Sequence, residues 1–233
     1  MILEICAQSY QAAINATIGG ADRIELCAHL GGGGITPSPG LLIQIKKEIT
    51  IPVFVLIRPR PGNFYYSPGE LDIIFRDITI YADAGADGIV CGSLTTEDTV
   101  DLDALQKMVV AAHGLPFTFH RAFERIKNPL TALHQLIDLG VSRILTGGSP
   151  GNAHEGRKEL QHLQEQAGSQ LTILAGSGVN PENLTQLVIE GKVSEVHSSA
   201  KYILHRPRTS DIDPFDSDPV IVRQLAEICR SFK

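Results

Sequence analysis

The sequence alternates eight times between a short apolar run and a longer, more polar segment, and this alternation restricts the fold more than any other feature. The apolar runs are rich in Val, Ile, Leu and Phe, as in strands that are buried on both faces. Parallel strands need crossover helices, so a regular strand–helix order predicts a parallel sheet. We predict strands at 2–6, 23–27, 52–57, 88–91, 117–120, 143–146, 171–175 and 195–198.

The segments between the strands carry helix start and stop signals. Asn180-Pro181 combines a capping residue with Pro at the first helical position. Gly140 follows a helical pattern that begins near Asn128-Pro129, and Gly is a common residue just past a helix end. We predict helices at 9–20, after 36–39, at 70–84, 102–112, 128–139 and 155–167, from 180 onward, and at 219–230.

The number of strand–helix units predicts an α/β fold of the closed (β/α)₈ TIM-barrel type. Units spaced by about 25–30 residues and a length of 233 residues both fit such a barrel. The alternative is an open, doubly wound sheet, but no early glycine run has the dinucleotide-binding spacing, so we also expect no nucleotide cofactor. We predict one domain over residues 1–233, with the polar stretch 205–218 as a loop within it.

Composition and charge exclude several classes of protein. The net charge is −6 and both signs are mixed along the chain, so no basic stripe indicates nucleic-acid binding. No apolar run is long enough to cross a bilayer, and the N-terminus lacks the basic region of a signal peptide. The cysteines Cys6, Cys27, Cys91 and Cys229 form no Cys-x-x-Cys pair, so we expect reduced thiols and a cytoplasmic protein.

The first two predicted strands both end in Glu-x-Cys, as Glu4-Ile5-Cys6 and Glu25-Leu26-Cys27. Residues two apart in a strand share a face, so neighbouring strands can bring two carboxylates and two thiols together. If that face is the barrel interior, the carboxylates need partners, because an unpaired buried charge is costly. Two interpretations stay open for the cysteines: small core residues, or a thiolate pair for a soft ion such as Cu(I).

Arginine and histidine end the third and fifth strands. Arg58 and Arg60 share a face, and we expect them to pair with the two glutamates or to bind an anionic substrate. His120 and Arg121 are adjacent, so a regular strand would point them to opposite faces. His120 is a candidate for proton transfer near neutral pH, and the alternative is a hydrogen-bonded structural histidine.

Small and polar residues end the last three strands, where TIM barrels often bind phosphate. Glycines let the backbone approach a ligand, and successive N–H groups can hold an anion. The alternative is that these glycines only form tight turns. Together with Arg58, Arg60 and Arg121, the candidate anion-binding residues are Thr146, Gly176, Gly178, His197 and Ser198.

Several stretches together resemble the CutC family, over residues 1 to about 200. They are Leu-Glu-Ile-Cys-Ala at 3–7, Gly-Gly-Ala-Asp-Arg-Ile-Glu-Leu-Cys at 19–27, Gly-Gly-Ile-Thr-Pro-Ser at 33–38, Ile-Arg-Pro-Arg-Pro-Gly-Asn-Phe at 57–64, Thr-Phe-His-Arg-Ala-Phe at 118–123, Arg-Ile-Leu-Thr at 143–146 and His-Ser-Ser-Ala at 197–200. The chain departs from the family pattern at Glu124, where Asp is expected, and at Gly147, where Ser is expected.

The resemblance implies a cytoplasmic TIM barrel that serves copper homeostasis and forms a homodimer. It also implies that Cys6 and Cys27 occupy the positions proposed as copper ligands. The first functional hypothesis is therefore a copper-binding protein with Cu(I) held by these two residues.

The second hypothesis is an enzyme that acts on a small anionic or phosphorylated metabolite at the C-terminal mouth of the barrel. Arg58, Arg60 and the loops after the last strands would hold the anion. His120 would transfer a proton, with Glu4 or Glu25 as the second acid–base group. Charged groups at the ends of several strands favour this hypothesis, because a copper carrier does not require them.

Overall fold

The structure is a computed structural model that describes residues 1–148, 151–201 and 216–232. Eight parallel strands pair in sequence order and close into a barrel, so the predicted (β/α)₈ TIM barrel is confirmed. The strands are β1 (Ile2–Ala7), β2 (Arg23–Leu26), β3 (Val53–Leu56), β4 (Gly88–Cys91), β5 (Phe117–Phe119), β6 (Arg143–Thr146), β7 (Thr172–Ala175) and β8 (Glu195–Ser198).

Helices surround the barrel and follow the strands in the predicted order. They are α1 (Tyr10–Gly19), α2 (Pro39–Lys46), α3 (Pro68–Asp83), α4 (Leu102–Ala111), α5 (Pro129–Asp138), α6 (Arg157–Ala167), α7 (Leu184–Gly191) and α8 (Pro219–Arg230). Within the described residues, no helix is both long and apolar enough to cross a membrane. The predicted loop at 205–218 falls outside the described part of the chain, apart from its last three residues.

Two predicted boundaries differ from the structure for local reasons. β5 ends at Phe119, because His120 begins a short 3₁₀ helix (Arg121–Arg125) and its ring nitrogen accepts a hydrogen bond from the Ala122 N–H. The helix expected from Asn180 begins at Leu184. There the Asn180 side chain caps a preceding turn and accepts hydrogen bonds from the two residues before the helix.

The start of α3 shows how local sequence fixes an element near the barrel mouth. Ser67 accepts a hydrogen bond from the Glu70 N–H, and the Glu70 side chain accepts one from the Ser67 N–H. Pro68 occupies the first helical turn, where its missing N–H costs no hydrogen bond. This capping box fixes the point at which the loop after β3 turns into the helix.

The described residues form two hydrophobic clusters. The larger one lies between the barrel and its helices, and the smaller one fills part of the barrel interior. Alternation along each strand sends one set of side chains to each cluster. The interior cluster consists of Cys6, Cys27, Phe54, Leu56 and Val90.

The register of β1 against β2 decides which interior residues are neighbours. Cys6 lies opposite Glu25, and Glu4 lies opposite Arg23. The two Glu-x-Cys sequences are therefore offset by two residues instead of lying side by side. As a result, a thiol from one strand lies next to a carboxylate from the other.

Candidate functional site

A buried network of charged residues fills the barrel interior below the mouth. The Arg23 guanidinium donates hydrogen bonds to the carboxylates of Glu4 and Glu195, and Arg143 donates to Glu195 at 2.9 Å. Both guanidinium groups lie over the ring of Phe54, at 4.8 Å for Arg23 and 5.2 Å for Arg143. Glu4 thus has the partner that a buried carboxylate requires.

Above this network, the two interior thiols lie in contact. The Sγ atoms of Cys6 and Cys27 are 3.4 Å apart, and the Cys6 thiol donates to Glu25 Oε1 at 3.7 Å. The hydrogen bond with Cys27 and the burial of Cys6 raise the pKa of the Cys6 thiol. The Cys6 thiol is therefore protonated at neutral pH unless a bound cation stabilises its thiolate.

The carboxyl groups of Glu4 and Glu25 have opposite pKa shifts. Burial alone would raise the pKa of Glu4, but the His197 hydrogen bond and the Arg23 charge lower it to about 2. Burial raises the pKa of Glu25 to about 7, and the nearby positive charges only partly offset it. Among the described residues, Glu25 Oε2 is buried and has no hydrogen-bond partner. Glu25 is therefore the carboxyl group that can exchange a proton near neutral pH.

His197 connects the network to the thiols. Its Nδ1 lies 2.7 Å from Glu4 Oε1. Burial opposes the charged imidazolium, yet the carboxylates of Glu25 and Glu4 raise the pKa of His197. One ligand atom from each of Cys6, Glu25 and His197 lies within 4.8 Å of the other two, so these three side chains can reach a common ion.

A cavity of about 1200 Å³ opens above these groups at the C-terminal ends of the strands. Its wall contains loops after β2, β3, β5, β7 and β8, together with part of α8. Several residues from the sequence-based set line it, and the others do not. The lining members are Cys6, Glu25, Arg58, His120, Arg121, Gly178, His197 and Ser198, and those outside the lining are Glu4, Cys27, Arg60, Thr146 and Gly176.

The expected pairing of Arg58 and Arg60 with the interior glutamates is wrong. Arg58 donates to the backbone carbonyls of Gly33, Gly34 and Gly62, and its guanidinium stacks on an aromatic ring. Arg60 pairs with Glu70 at the start of α3. The reason is that β3 ends at Leu56, so both arginines belong to the loop that leaves the barrel. Arg58 therefore joins the rim loops after β2 and β3.

His120 and Arg121 both line the cavity, because the 3₁₀ helix replaces the regular strand that would have separated them. Burial and the charge of Arg58 lower the pKa of His120 to about 3, so its imidazole is neutral at pH 7. Arg121 forms two hydrogen bonds with Glu124 and is partly exposed. A neutral His120 can donate or accept a hydrogen bond, but Glu25 is closer to the pKa that proton transfer at neutral pH requires.

The predicted anion-binding residues after the last strands have mostly structural partners. The Thr146 hydroxyl accepts from the Gly148 N–H, and the Ser198 hydroxyl donates to the Val179 carbonyl at 2.7 Å. Gly178 has a φ of 71°, a left-handed conformation that favours glycine. The Ser198 hydroxyl thus donates its hydrogen to the loop after β7.

The two positions that depart from the family pattern contact each other. The Gly147 N–H donates to Glu124 Oε1 at 2.9 Å, and the same carboxylate holds Arg121. A Cβ atom at position 147 would lie 3.2 Å from the Gly176 carbonyl oxygen, which leaves little room for a side chain. The two departures from the family pattern are therefore coupled, because the Glu124 carboxylate accepts a hydrogen bond from the Gly147 backbone.

Sequence reasoning missed the charged residues deepest in the barrel, which are Arg23, Arg143 and Glu195. Their signal was present, because Arg23 lies two residues before Glu25, and Glu195 lies two residues before His197. Residues two apart share a strand face, so Arg23 and Glu195 are expected in the barrel interior together with Glu25 and His197. Arg143 begins β6 and could be found from its strand only after the interior face of β6 was known.

Comparison with known proteins gives a consistent result. The CutC family profile matches residues 1–202. The human copper homeostasis protein cutC homolog is 41% identical over 200 residues, which cover 86% of this chain and 73% of the human protein. A family protein CutC from Salmonella enteritidis is 45% identical over 206 residues, covering 88% of this chain and 82% of that protein. The crystal structure of CutC from Streptococcus agalactiae superposes with a TM-score of 0.81 at 34% identity, covering 84% of this chain and 97% of that one.

Proposed function

The chain belongs to the CutC family, and from this membership and the thiol pair in its barrel we propose that it binds Cu(I) and serves copper homeostasis. The observation that carries the proposal is the 3.4 Å approach of the Cys6 and Cys27 sulfur atoms. Thiolates are soft ligands, and soft ligands select Cu(I) over hard cations. Both side chains are buried, which would shield a bound ion from water.

The donor set fits Cu(I) after a small rearrangement. A linear dithiolate would place the sulfur atoms roughly 4.6 Å apart, which is twice a metal–thiolate bond of about 2.3 Å. The thiols must therefore separate by about 1 Å from their present 3.4 Å contact. They must also lose protons, since the thiolate is the ligand form.

Glu25 is placed to receive the first of these protons. The Cys6 thiol already donates a hydrogen bond to Glu25 Oε1, and a pKa of about 7 makes this carboxylate an acceptor at neutral pH. Copper binding should therefore release protons and strengthen as the pH rises through this range.

The direct test is a Cu(I) competition titration of the reduced full-length protein against a strong chelator. We expect one Cu(I) per chain, with affinity reduced by roughly a hundredfold or more in Cys6→Ser and Cys27→Ser, because each substitution removes one of the two soft ligands. Cys91→Ala is the matched control, since Cys91 is also a buried thiol but contacts Met108 outside the barrel interior. Unchanged affinity in the Cys6→Ser/Cys27→Ser double variant would refute the proposal.

The size of the cavity favours a second candidate function, an enzyme that acts on a small anionic or phosphorylated metabolite. A volume of about 1200 Å³ exceeds what one ion needs, and small-molecule sites typically occupy about 300–1,000 Å³. Glu25 could act as the acid–base group and the cavity-lining Arg121 could contact the anion. Thermal stability measured with a panel of phosphorylated metabolites tests this, since a ligand at a hundred times its dissociation constant adds about 2.7 kcal/mol. No shift across the panel, or equal shifts in Arg121→Gln, would count against it.

A further inference from the structure

We propose that Cys6, Glu25 and His197 form a binding site for a divalent ion of the Zn²⁺ type, with an open coordination position toward the cavity. This site differs from the proposed Cu(I) site in ligands and in metal class. It uses the thiol of Cys6 with a carboxylate and an imidazole, and it does not use Cys27. The two sites share Cys6, so only one of the two ions can be bound at a time.

The geometry places the three donors close to the spacing of a metal site. One ligand atom from each side chain lies within 4.8 Å of the other two. Tetrahedral coordination with bonds of about 2.0–2.3 Å places ligand atoms roughly 3.3–3.8 Å apart. The donors therefore need to approach one another by about 1.5 Å at most.

The donor set has the chemistry of a site that leaves one position free. Zn²⁺ binds thiolate, imidazole and carboxylate ligands, and catalytic sites use three protein ligands with a fourth position for water or substrate. All three residues line the cavity, so a fourth ligand can enter from it. The ligand expected in that position is water or an oxygen atom of a small molecule in the cavity.

The surroundings of His197 match those of a metal-binding histidine. Such histidines commonly donate their second ring N–H to a carboxylate, which fixes the ring and the tautomer. Here Nδ1 lies 2.7 Å from Glu4 Oε1, which leaves Nε2 as the nitrogen available to an ion. Glu4 is in turn held by Arg23, so the ring orientation is supported from below.

Glu25 supplies a second, independent observation. Its side chain is only 4% exposed, and within the described residues its Oε2 atom has no hydrogen-bond partner. Unpartnered buried polar atoms are rare in native proteins, because each one loses its bonds to water. A cation between Glu25, Cys6 and His197 would satisfy this oxygen.

The experiment uses the reduced full-length protein with Co²⁺ and Zn²⁺ as probes. Co²⁺ titration is followed by absorption, because a thiolate ligand adds a charge-transfer band and tetrahedral coordination gives intense visible bands. Zn²⁺ affinity is measured by competition with a chromophoric chelator. The variants are Glu25→Gln and His197→Gln, with Cys27→Ser as the control that keeps all three ligands, and each is checked for folding by circular dichroism.

We expect one Co²⁺ per chain with a thiolate band in the wild type and in Cys27→Ser. Glu25→Gln and His197→Gln should weaken Zn²⁺ binding by roughly a hundredfold or more, since loss of supporting residues alone costs 10–100-fold. His197→Gln should keep most of the Cu(I) affinity, because the thiol pair and Glu25 both remain. Cys27→Ser should lose Cu(I) affinity while it retains Zn²⁺.

Two results would overturn the proposal. One is a folded wild-type protein that shows no thiolate band with Co²⁺ and does not compete for Zn²⁺. The other is Zn²⁺ affinity that is unchanged in both Glu25→Gln and His197→Gln. If either variant fails to fold, the Co²⁺ spectrum of Cys27→Ser still decides, because this variant keeps the three ligands and lacks the second thiol. Failure of the Cu(I) proposal is recognised separately, as Cu(I) affinity that does not depend on Cys27.

Discussion

Glu4 and Glu25 differ in charge at neutral pH although both side chains point into the same barrel. The Arg23 guanidinium and the His197 ring surround Glu4 and hold its pKa at about 2. Glu25 lies in the layer above, against the thiols, and burial raises its pKa to about 7. Pairs of carboxyl groups with divergent pKa values are a frequent feature of functional sites. The difference in pKa arises because the two carboxyl groups have different neighbours, although both residues are glutamates.

His120 gives a prediction for stability as a function of pH. The unfolded chain binds a proton on this side chain near pH 6.5, whereas the folded chain does so only near its lowered pKa of about 3. Between these values the unfolded state holds more protons, so this group makes the folded protein less stable as the pH falls. The resulting loss of unfolding free energy between pH 6.5 and pH 5 is about 2 kcal/mol, at 1.36 kcal/mol per pH unit. Urea unfolding of the wild type and His120→Asn at pH 7 and pH 5 measures the difference.

The comparison with the variant isolates His120, because Glu25 and His197 titrate in the same range with the opposite sign. Their raised pKa values mean that the folded state holds the extra proton there. We expect His120→Asn to lose less stability than the wild type on acidification, and the exposed His134→Gln to behave as the wild type. Equal losses in wild type and His120→Asn would contradict the pKa assignment.

At the level of secondary-structure elements, close packing between β3 and β4 constrains the interior. A Cβ atom added at Gly88 would lie 2.6 Å from ring atoms of Phe54. That ring cannot move freely, since the guanidinium groups of Arg23 and Arg143 lie against it. The absence of a side chain at Gly88 therefore makes room for the Phe54 ring.

This packing predicts the effect of Gly88→Ala. Overpacking a filled core costs about 1–3 kcal/mol, and we expect a loss of unfolding free energy in that range. Gly69→Ala is the matched control, because a Cβ there meets no heavy atom within 4 Å in the first turn of α3. Urea denaturation should show the control to be neutral or slightly more stable, since Ala is the better helix former. A neutral Gly88→Ala would show that the Phe54 ring relocates without cost.

At the scale of the whole molecule, one charged network ties together strands that are far apart in sequence. Arg23 on β2 pairs with Glu4 on β1 and Glu195 on β8, and Arg143 on β6 also pairs with Glu195. These residues are largely buried, so salt screens their interaction weakly. The network therefore connects the two ends of the strand order where the barrel closes.

Removal of one partner from this network should destabilise the entire barrel. Breaking a buried ion pair leaves an unpaired charge and costs about 3–5 kcal/mol, and we expect this loss in Arg23→Met. Arg157→Met is the control, since its pair with Glu190 is partly exposed and such pairs contribute about 0–1 kcal/mol. Urea unfolding at low and high salt measures both. A loss in Arg23→Met no larger than in the control would mean that the buried carboxylates are neutralised by protonation instead.

The expected homodimer and the cytoplasmic location stay predictions at this scale. The first rests on the family resemblance and can be checked by sedimentation equilibrium of the full-length protein. The copper proposal does not depend on it, because both thiols come from one chain.

The sequence by itself determined the strand–helix order, the closed barrel and the end of the barrel where the candidate site lies. These follow from local patterns: apolar runs predict strands, caps and glycines bound helices, and parallel strands bring their C-terminal ends to one face. It also identified Cys6, Glu25 and His197 as residues of that face. The elements depend on neighbours within a few positions along the chain, and the closed barrel follows from the number of strand–helix units.

Only the tertiary structure decided which of these side chains meet. The register between β1 and β2 places Cys6 beside Glu25 and moves Glu4 against Arg23, and strand alternation alone does not specify that offset. Likewise, the end of β3 at Leu56 turns Arg58 and Arg60 away from the interior. The stagger of strands around a barrel is a property of the closed sheet, so the identity of the contacts at the site depends on residues far apart in sequence.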